Sequence, residues 1–160
     1  MEGLIKMSLI DYINKDAIMI DVQETDKERL LSKMVERLNE CGLLLSKDEA
    51  EHSIMAREKL MSTGVGNGIA IPHAKTDAVD KIVLTVATIK NGINYKSVDK
   101  KKVFIVFMLL APKDSASENL KVLTTIAKIL RDNSHFVEKL INTDKNEDII
   151  SLIAKEEMKL

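Results

Sequence analysis

Apolar residues recur at helical spacing through several stretches of the chain and run almost without interruption through two others. Leu30, Leu31, Met34, Val35, Leu38 and Cys41 trace one face of a helix. Thr25 and Glu28 have capping-box spacing at its start, and Gly42 supplies its stop. A second helix opens at "SKDE", with Ser46 and Glu49 in the same relation, and runs to about Met61. Leu120, Leu123, Ile126, Ala127 and Leu130 mark a helix over 118–130. A short helix over 135–141 follows, then one over 144–157 with Asp144 and Glu147 at its start.

The segments 82–89 ("IVLTVATI") and 103–110 ("VFIVFMLL") are rich in β-branched residues and apolar on both faces. Strands of that kind lie in a sheet covered on both sides. Two shorter strands are expected at 17–22 ("AIMIDV") and 69–71 ("IAI"). The link between 89 and 103 contains Gly92 and has no helical pattern, so its two strands are expected to run antiparallel. The reading is a single α/β domain over 1–160, with its core at about 7–155. It is an α/β/α sandwich whose mixed parallel and antiparallel central sheet is flanked by helices.

Composition narrows the function classes. The chain has 160 residues, enough to bury a core without disulfides or metals. The net charge is −1 and the basic residues are dispersed, which gives no nucleic-acid footprint. The aromatic residues do not cluster as base-stacking platforms. The single cysteine, Cys41, excludes an intrachain disulfide framework and reads as a small buried residue at a helix end. The longest unbroken apolar run, 103–111, is too short to cross a bilayer as a helix. "MEGLIKMSLIDYI" has no signal-peptide shape, and a cytosolic protein is expected.

Candidate chemistry concentrates in "STGVGNGIAIPHAKTDAV", residues 62–79. Glycines 64, 66 and 68 give the backbone freedom for positive φ or close approach. Successive amides in such a loop can bind an anion. No Lys-Ser/Thr follows, and the spacing is not GxGxxG, so a nucleotide site has no motif support. Pro72 fixes its own φ and holds Ile71 extended, so His73 leaves from a stiff point. From this pattern alone the segment is either an awkward turn into a strand or a device that presents His73. His52 and His135 share no metal-ligand spacing with His73, and no metal site is expected. Neighbouring threonines and Asp77 suggest a hydrolase triad, but no nucleophile elbow exists.

"AREKLMSTGVGNGIAIPHAKTDAV" resembles the active-site segment of the enzyme IIA domains of the phosphoenolpyruvate-dependent sugar phosphotransferase system, in their fructose/mannitol class, which includes the nitrogen-regulatory branch. The Arg-Glu pair, Ser-Thr-Gly, alternating glycines, apolar triplet and Pro-His all stand between Arg57 and His73. "VFIVFMLLAPKDSASENLKVLTTIAKIL" is similar to the family's strand, Ala-Pro turn and following helix. The ending "PHAKTDAV" resembles the fructose type more than the regulatory branch, where glycine often follows the histidine.

The resemblance implies a phosphocarrier. His73 would accept a phosphoryl group from the histidine phosphocarrier HPr and pass it to an enzyme IIB, with association to a membrane IIC complex through IIB. Arg57 would stabilise phosphoryl charge. Thr63, Gly64, Gly66 and Gly68 would form a phosphoryl-binding loop. No cofactor and no metal are implied. A regulatory paralogue, whose His73 phosphorylation state controls a partner protein, is the alternative. One departure stands out. Many family members carry a second histidine in a His-Leu pair opening the later helix, and here the pair is Asn119-Leu120. Asparagine donates a hydrogen bond but carries no charge, so a slower or less stable phospho-His73 is expected. Glu118 is no substitute, because a carboxylate repels the phosphoryl group.

Overall fold

The computed structural model describes residues 7–160. The first six residues of the N-terminal segment, part of the stretch read for a signal peptide, lie outside the described residues. Five helices flank a five-stranded sheet: α1 (Lys27–Glu40), α2 (Lys47–Leu60), β1 (Gly64–Gly66), β2 (Ile69–Ala70), β3 (His73–Lys75), β4 (Val83–Ile93), β5 (Val103–Ala111), α3 (Ala116–Leu130), α4 (Ser134–Ile141) and α5 (Asn146–Glu157). Short 3-10 turns at Leu9–Tyr12 and Lys15–Ala17 precede them.

β5 is the centre of the sheet. β4 pairs antiparallel along one side of it, with Val83 opposite Leu110 and Thr88 opposite Ile105. β2 and β3 follow one another along its other side, both parallel, and β1 folds back antiparallel on β2. The sheet is therefore mixed, as the short link after β4 predicts.

Burial of both faces follows from alternation along β5. Ile105, Phe107, Leu109 and Ala111 enter one apolar layer, packed with Val122 and Ile126 of α3, Leu140 of α4 and Ile149 and Ile153 of α5. Val106, Met108 and Leu110 enter the other, with Leu30, Leu31, Met34, Val35 and Leu38 of α1 and Ala50 and Ile54 of α2. This is the three-layer sandwich.

Helix termini follow local chemistry. Ser46 caps α2 by accepting from the Glu49 amide at 3.2 Å. Gly42 takes φ 73 after α1. The expected Thr25–Glu28 capping box is not the one formed. Asp26 is the N-cap, and its Oδ1 accepts from the Glu28 amide at 3.3 Å. An aspartate one position later offers the same acceptor, and its backbone also bridges to Asn94 beyond β4.

The strand expected at 17–22 is also corrected. Residues 15–17 form a 3-10 turn. Beyond it, Met19 and Val22 run beside β4 through Met19 N–Val86 O (3.0 Å), Thr88 N–Met19 O (2.9 Å) and Val22 N–Thr88 O (2.8 Å). Asp21 takes φ 51, which breaks the extended run before a regular strand forms.

Candidate functional site

The glycine-rich segment is a hairpin. β1 pairs with β2 through Gly64 opposite Ala70 and Gly66 opposite Ile69. Asn67 (φ 57) and Gly68 (φ 81) make the turn, both with positive φ as a tight two-residue connection demands. The glycines also admit a close neighbour. A Cβ on Gly64 would stand 2.3 Å from Ser97 Oγ and 3.0 Å from the Ser97 backbone. The β4–β5 connection thus lies directly on the hairpin, and Asp99 Oδ2 accepts from the Asn67 amide at 3.0 Å.

Two of the backbone donors at the start of the hairpin are engaged within the protein. The Thr63 amide donates to Glu58 Oε2 at 2.8 Å, and the Gly64 amide to Ser62 Oγ at 3.2 Å. Thr63 is buried, and its hydroxyl donates to Glu58 Oε1 at 2.6 Å. These donors already have partners within the protein.

The hairpin leads straight to the histidine. Ile71 N donates to Thr63 O at 3.0 Å, which extends the β1–β2 pairing by one bond. Leu109 N of β5 donates to Pro72 O at 2.9 Å, and His73 opens β3 opposite Leu109. The next residue, Ala74, packs into the α1/α2 layer, so alternation turns the half-buried His73 side chain toward the α3 layer. His73 Nδ1 lies 2.7 Å from Ile71 O. A carbonyl oxygen only accepts, so Nδ1 carries a proton, and in the neutral ring the lone pair lies on Nε2.

Arg57 stands in the last turn of α2, where Nη1 donates to Met61 O at 3.0 Å. It holds the turn that brings the chain from α2 into β1. Beside it, Glu58 is 7% exposed. Besides its bonds to Thr63, Glu58 accepts from the Tyr95 hydroxyl at 3.2 Å and pairs with Lys27 Nζ at 2.7 Å. The Lys27 ammonium also sits 4.5 Å from the centroid of the Tyr95 ring. Burial, and then the Glu58 charge, push the Tyr95 hydroxyl pKa far above its ordinary value, so it remains a neutral donor. Sequence reading missed this network. A signal was present: Ala50, Ile54 and Glu58 stand four apart on the buried face of α2, and an acid on an apolar stripe needs a partner.

Asn119 stands in the first turn of α3, on the buried face that Val122 and Ile126 continue into the core. It is 8% exposed, and its Oδ1 is buried without a hydrogen-bond partner among the described residues. Its neighbour Glu118 is taken by the Tyr12 hydroxyl at 2.7 Å. His52 and His135 are both exposed. Asp77 pairs with Lys113 at 3.1 Å and Thr76 Oγ1 with Ser53 Oγ at 3.0 Å, so neither builds a triad with His73. Cys41, expected to be buried, is only half-buried, because it caps the end of α1 at the edge of the apolar layer. Among the described residues, no group of three or more His, Cys, Asp or Glu could hold a metal ion. No helix among them is long and apolar enough to cross a membrane.

Comparison with known proteins gives the family of the chain. The chain is 29% identical over 92% of its length to the fructose-specific EIIABC component of Bacillus subtilis, but spans only 23% of that protein. It is 32% identical to a nitrogen regulatory protein of Bradyrhizobium diazoefficiens, over 92% of this chain and 95% of that one. Among solved structures, the nitrogen regulatory protein of Neisseria meningitidis superposes with TM-score 0.83 at 29% identity, over 91% of this chain and 99% of that one. The Escherichia coli mannitol enzyme IIA, solved in complex with phosphorylated enzyme IIB, shares the fold at TM-score 0.75 and 21% identity, over 89% of this chain and 96% of that one. The family model for the phosphoenolpyruvate-dependent sugar phosphotransferase system, EIIA 2, matches residues 11–156, and the chain belongs to that family.

Proposed function

We propose that this chain is a phosphocarrier in which His73 Nε2 accepts a phosphoryl group from phospho-HPr and passes it to an enzyme IIB. The carrying observation is the hydrogen bond from His73 Nδ1 to Ile71 O, which leaves Nε2 as the nucleophile on a histidine seated at a strand start. In the transfer, the Nε2 lone pair attacks phosphorus and forms a new N–P bond. The donor's N–P bond breaks, and its electron pair returns to the donor imidazole. Such a transition state needs alignment and charge stabilisation more than covalent help.

Arg57 supplies positive charge from the end of α2. Its bond to the Met61 carbonyl restricts where that charge can go. Asn119 offers a neutral amide from the start of α3, in the layer that His73 faces. Thr63, Gly64, Gly66 and Gly68 build the hairpin that leads to His73 and serve as its phosphoryl-binding loop in this reading; the Thr63 and Gly64 amides have partners within the protein, which leaves the role of anion donor to the Gly66 and Gly68 amides. No step calls for a cofactor or a metal. The work is assigned to the cytoplasm, with any membrane IIC complex reached through IIB.

A regulatory role is the second reading. Nitrogen regulatory proteins are among the relatives matched over nearly their whole length. In that case the phosphorylation state of His73 would govern a partner protein, with little onward transfer. Intact-mass spectrometry after incubation with phosphoenolpyruvate, enzyme I and HPr tests the shared step. One acid-labile phosphoryl group is expected on the wild type and none on His73→Ala. Adding a fructose- or mannitol-type IIB then separates the readings: loss of the label to IIB supports transport, and retention supports regulation.

A further inference from the structure

Three hydrogen bonds, linked by the backbones of Thr63 and Ile71, join Glu58 to His73. Glu58 Oε2 takes the Thr63 amide at 2.8 Å. Thr63 O takes the Ile71 amide at 3.0 Å. Ile71 O takes the Nδ1 proton of His73 at 2.7 Å. The series passes through a Cα at Thr63 and again at Ile71, so it couples positions and not electrons. The far end is fixed from three sides. Lys27 of α1 pairs with Oε2, and the Tyr95 and Thr63 hydroxyls converge on Oε1. Arg57, the residue just before Glu58 on α2, holds the same α2–β1 turn at Met61.

We infer that Glu58 is a positioning residue for phosphoryl transfer: through Thr63 it sets the hairpin register that aligns the Ile71 carbonyl with His73, and it places Arg57 beside that turn. Thr63 is the second member of the device. Its amide and hydroxyl are the two points at which the carboxylate grips the hairpin. A buried carboxylate with this many donors is costly to assemble, and a purely structural role is met as well by an apolar pair. Its place in the chain, one residue from Arg57 and three bonds from His73, is what alignment requires.

This inference rests on the phosphocarrier reading, and the experiment separates the two. Thr63→Val removes the hydroxyl and keeps shape and amide; Thr63→Ser restores the hydroxyl; Glu58→Gln removes the charge. Two readouts are taken. The first, ¹⁵N NMR of the His73 imidazole, needs no phosphoryl donor. Thr63→Val and Glu58→Gln are expected to move the ring from a predominant Nδ1–H tautomer to a mixture, and Thr63→Ser is not. The second is steady-state transfer from phospho-HPr. Loss of alignment lowers kcat by about tenfold or more while KM stays within about twofold, because the docking surface is untouched. Thr63→Ser recovers kcat. If Thr63→Val and Glu58→Gln lower the melting temperature but leave tautomer and kcat unchanged, the network is structural and the inference is wrong. If the tautomer shifts as expected but even the wild type takes no phosphoryl group, the coupling of Glu58 to the His73 tautomer stands, while the phosphocarrier reading falls and with it the role of that coupling in phosphoryl transfer.

Discussion

His73 Nδ1 lies 2.7 Å from the carbonyl oxygen of Ile71, two residues earlier in the chain. The intervening residue is Pro72, whose own carbonyl is held by the Leu109 amide at 2.9 Å. The backbone that receives the imidazole proton is therefore fixed to β5 before the imidazole does anything. Under the proposed function, this local arrangement selects Nε2 as the reacting nitrogen. A phosphoryl group is expected on Nε2, and ¹H–¹⁵N correlation of the phosphorylated protein will report it; phosphorylation at Nδ1 would contradict the Nδ1–H tautomer.

Pro72 is the inexpensive way to hold that geometry. Replacing it with alanine leaves every side-chain contact of His73 in place but frees one φ angle. The unfolded chain gains entropy, and stability is expected to fall by about 0.5–1 kcal/mol. Transfer from phospho-HPr should fall further than stability explains, because the alignment of Nε2 loosens. Denaturant unfolding and single-turnover transfer on the same Pro72→Ala preparation measure both; a stability loss with an unchanged rate would show that Pro72 serves the fold alone.

Asn119 gives a case in which the proposed function and stability are expected to pull apart. Its Oδ1 is buried without a partner among the described residues, a cost of about 1–3 kcal/mol. Asn119→Ala removes that orphan, so stability is expected to hold or rise despite the lost volume. The lifetime of phospho-His73 should shorten in the same variant. Asn119→His provides a donor that can carry charge. A charge-assisted bond adds about 1 kcal/mol over a neutral one, which lengthens the phospho-His73 lifetime by roughly fivefold. Acid-quench decay curves for the three proteins test the order; equal lifetimes would remove Asn119 from the site.

How far the sequence carried these conclusions varied by element. The helices were legible because each buries a stripe at 3.6-residue spacing, as Leu30, Leu31, Met34, Val35 and Leu38 do on α1. β4 and β5 were legible because both of their faces are apolar. The segment 17–22 was misread because its apolar composition says strand, while Asp21 at φ 51 interrupts the run, a backbone choice that composition does not encode. The hairpin carried its own signal in Asn67-Gly68, outweighed by the alternating glycines, which read as a loop. His73, Arg57 and Asn119 came from the motif. Lys27 and Tyr95 lie 31 and 37 residues from Glu58. Local periodicity has no means of joining groups so far apart.

The packing of the β4–β5 connection on the hairpin gives a steric prediction. Gly64→Ala drives a methyl group into Ser97, with 2.3 Å to Oγ and 3.0 Å to the backbone. Overpacking of this kind costs about 1–3 kcal/mol. Ser97→Gly in the Gly64→Ala background removes Oγ and Cβ but not the backbone, so rescue should be partial. A double-mutant cycle by urea denaturation checks it. Additive effects would mean that the two segments are not in contact.

The same contact carries a pH dependence. Asp99 is exposed, and its carboxylate accepts from the Lys101 amide at 3.1 Å and the Asn67 amide at 3.0 Å. Those two backbone bonds, the Lys101 one first, hold its pKa below the ordinary aspartate value of 3.8. Hydrogen bonds to the charged form favour it, so the folded state binds this proton less readily than the unfolded state. The contribution of Asp99 to stability is therefore complete above the ordinary aspartate range and is lost as pH falls through the lower, folded value. Protonation frees the Asn67 amide and loosens the hairpin turn from the β4–β5 connection. In an NMR titration, the Asn67 and Lys101 amide shifts should move together with a midpoint below 3.8. The stability gap between wild type and Asp99→Ala should stay constant above about pH 5 and narrow below about pH 4. A gap that stays the same down to about pH 2 would show that the carboxylate charge is not what holds the hairpin to the connection.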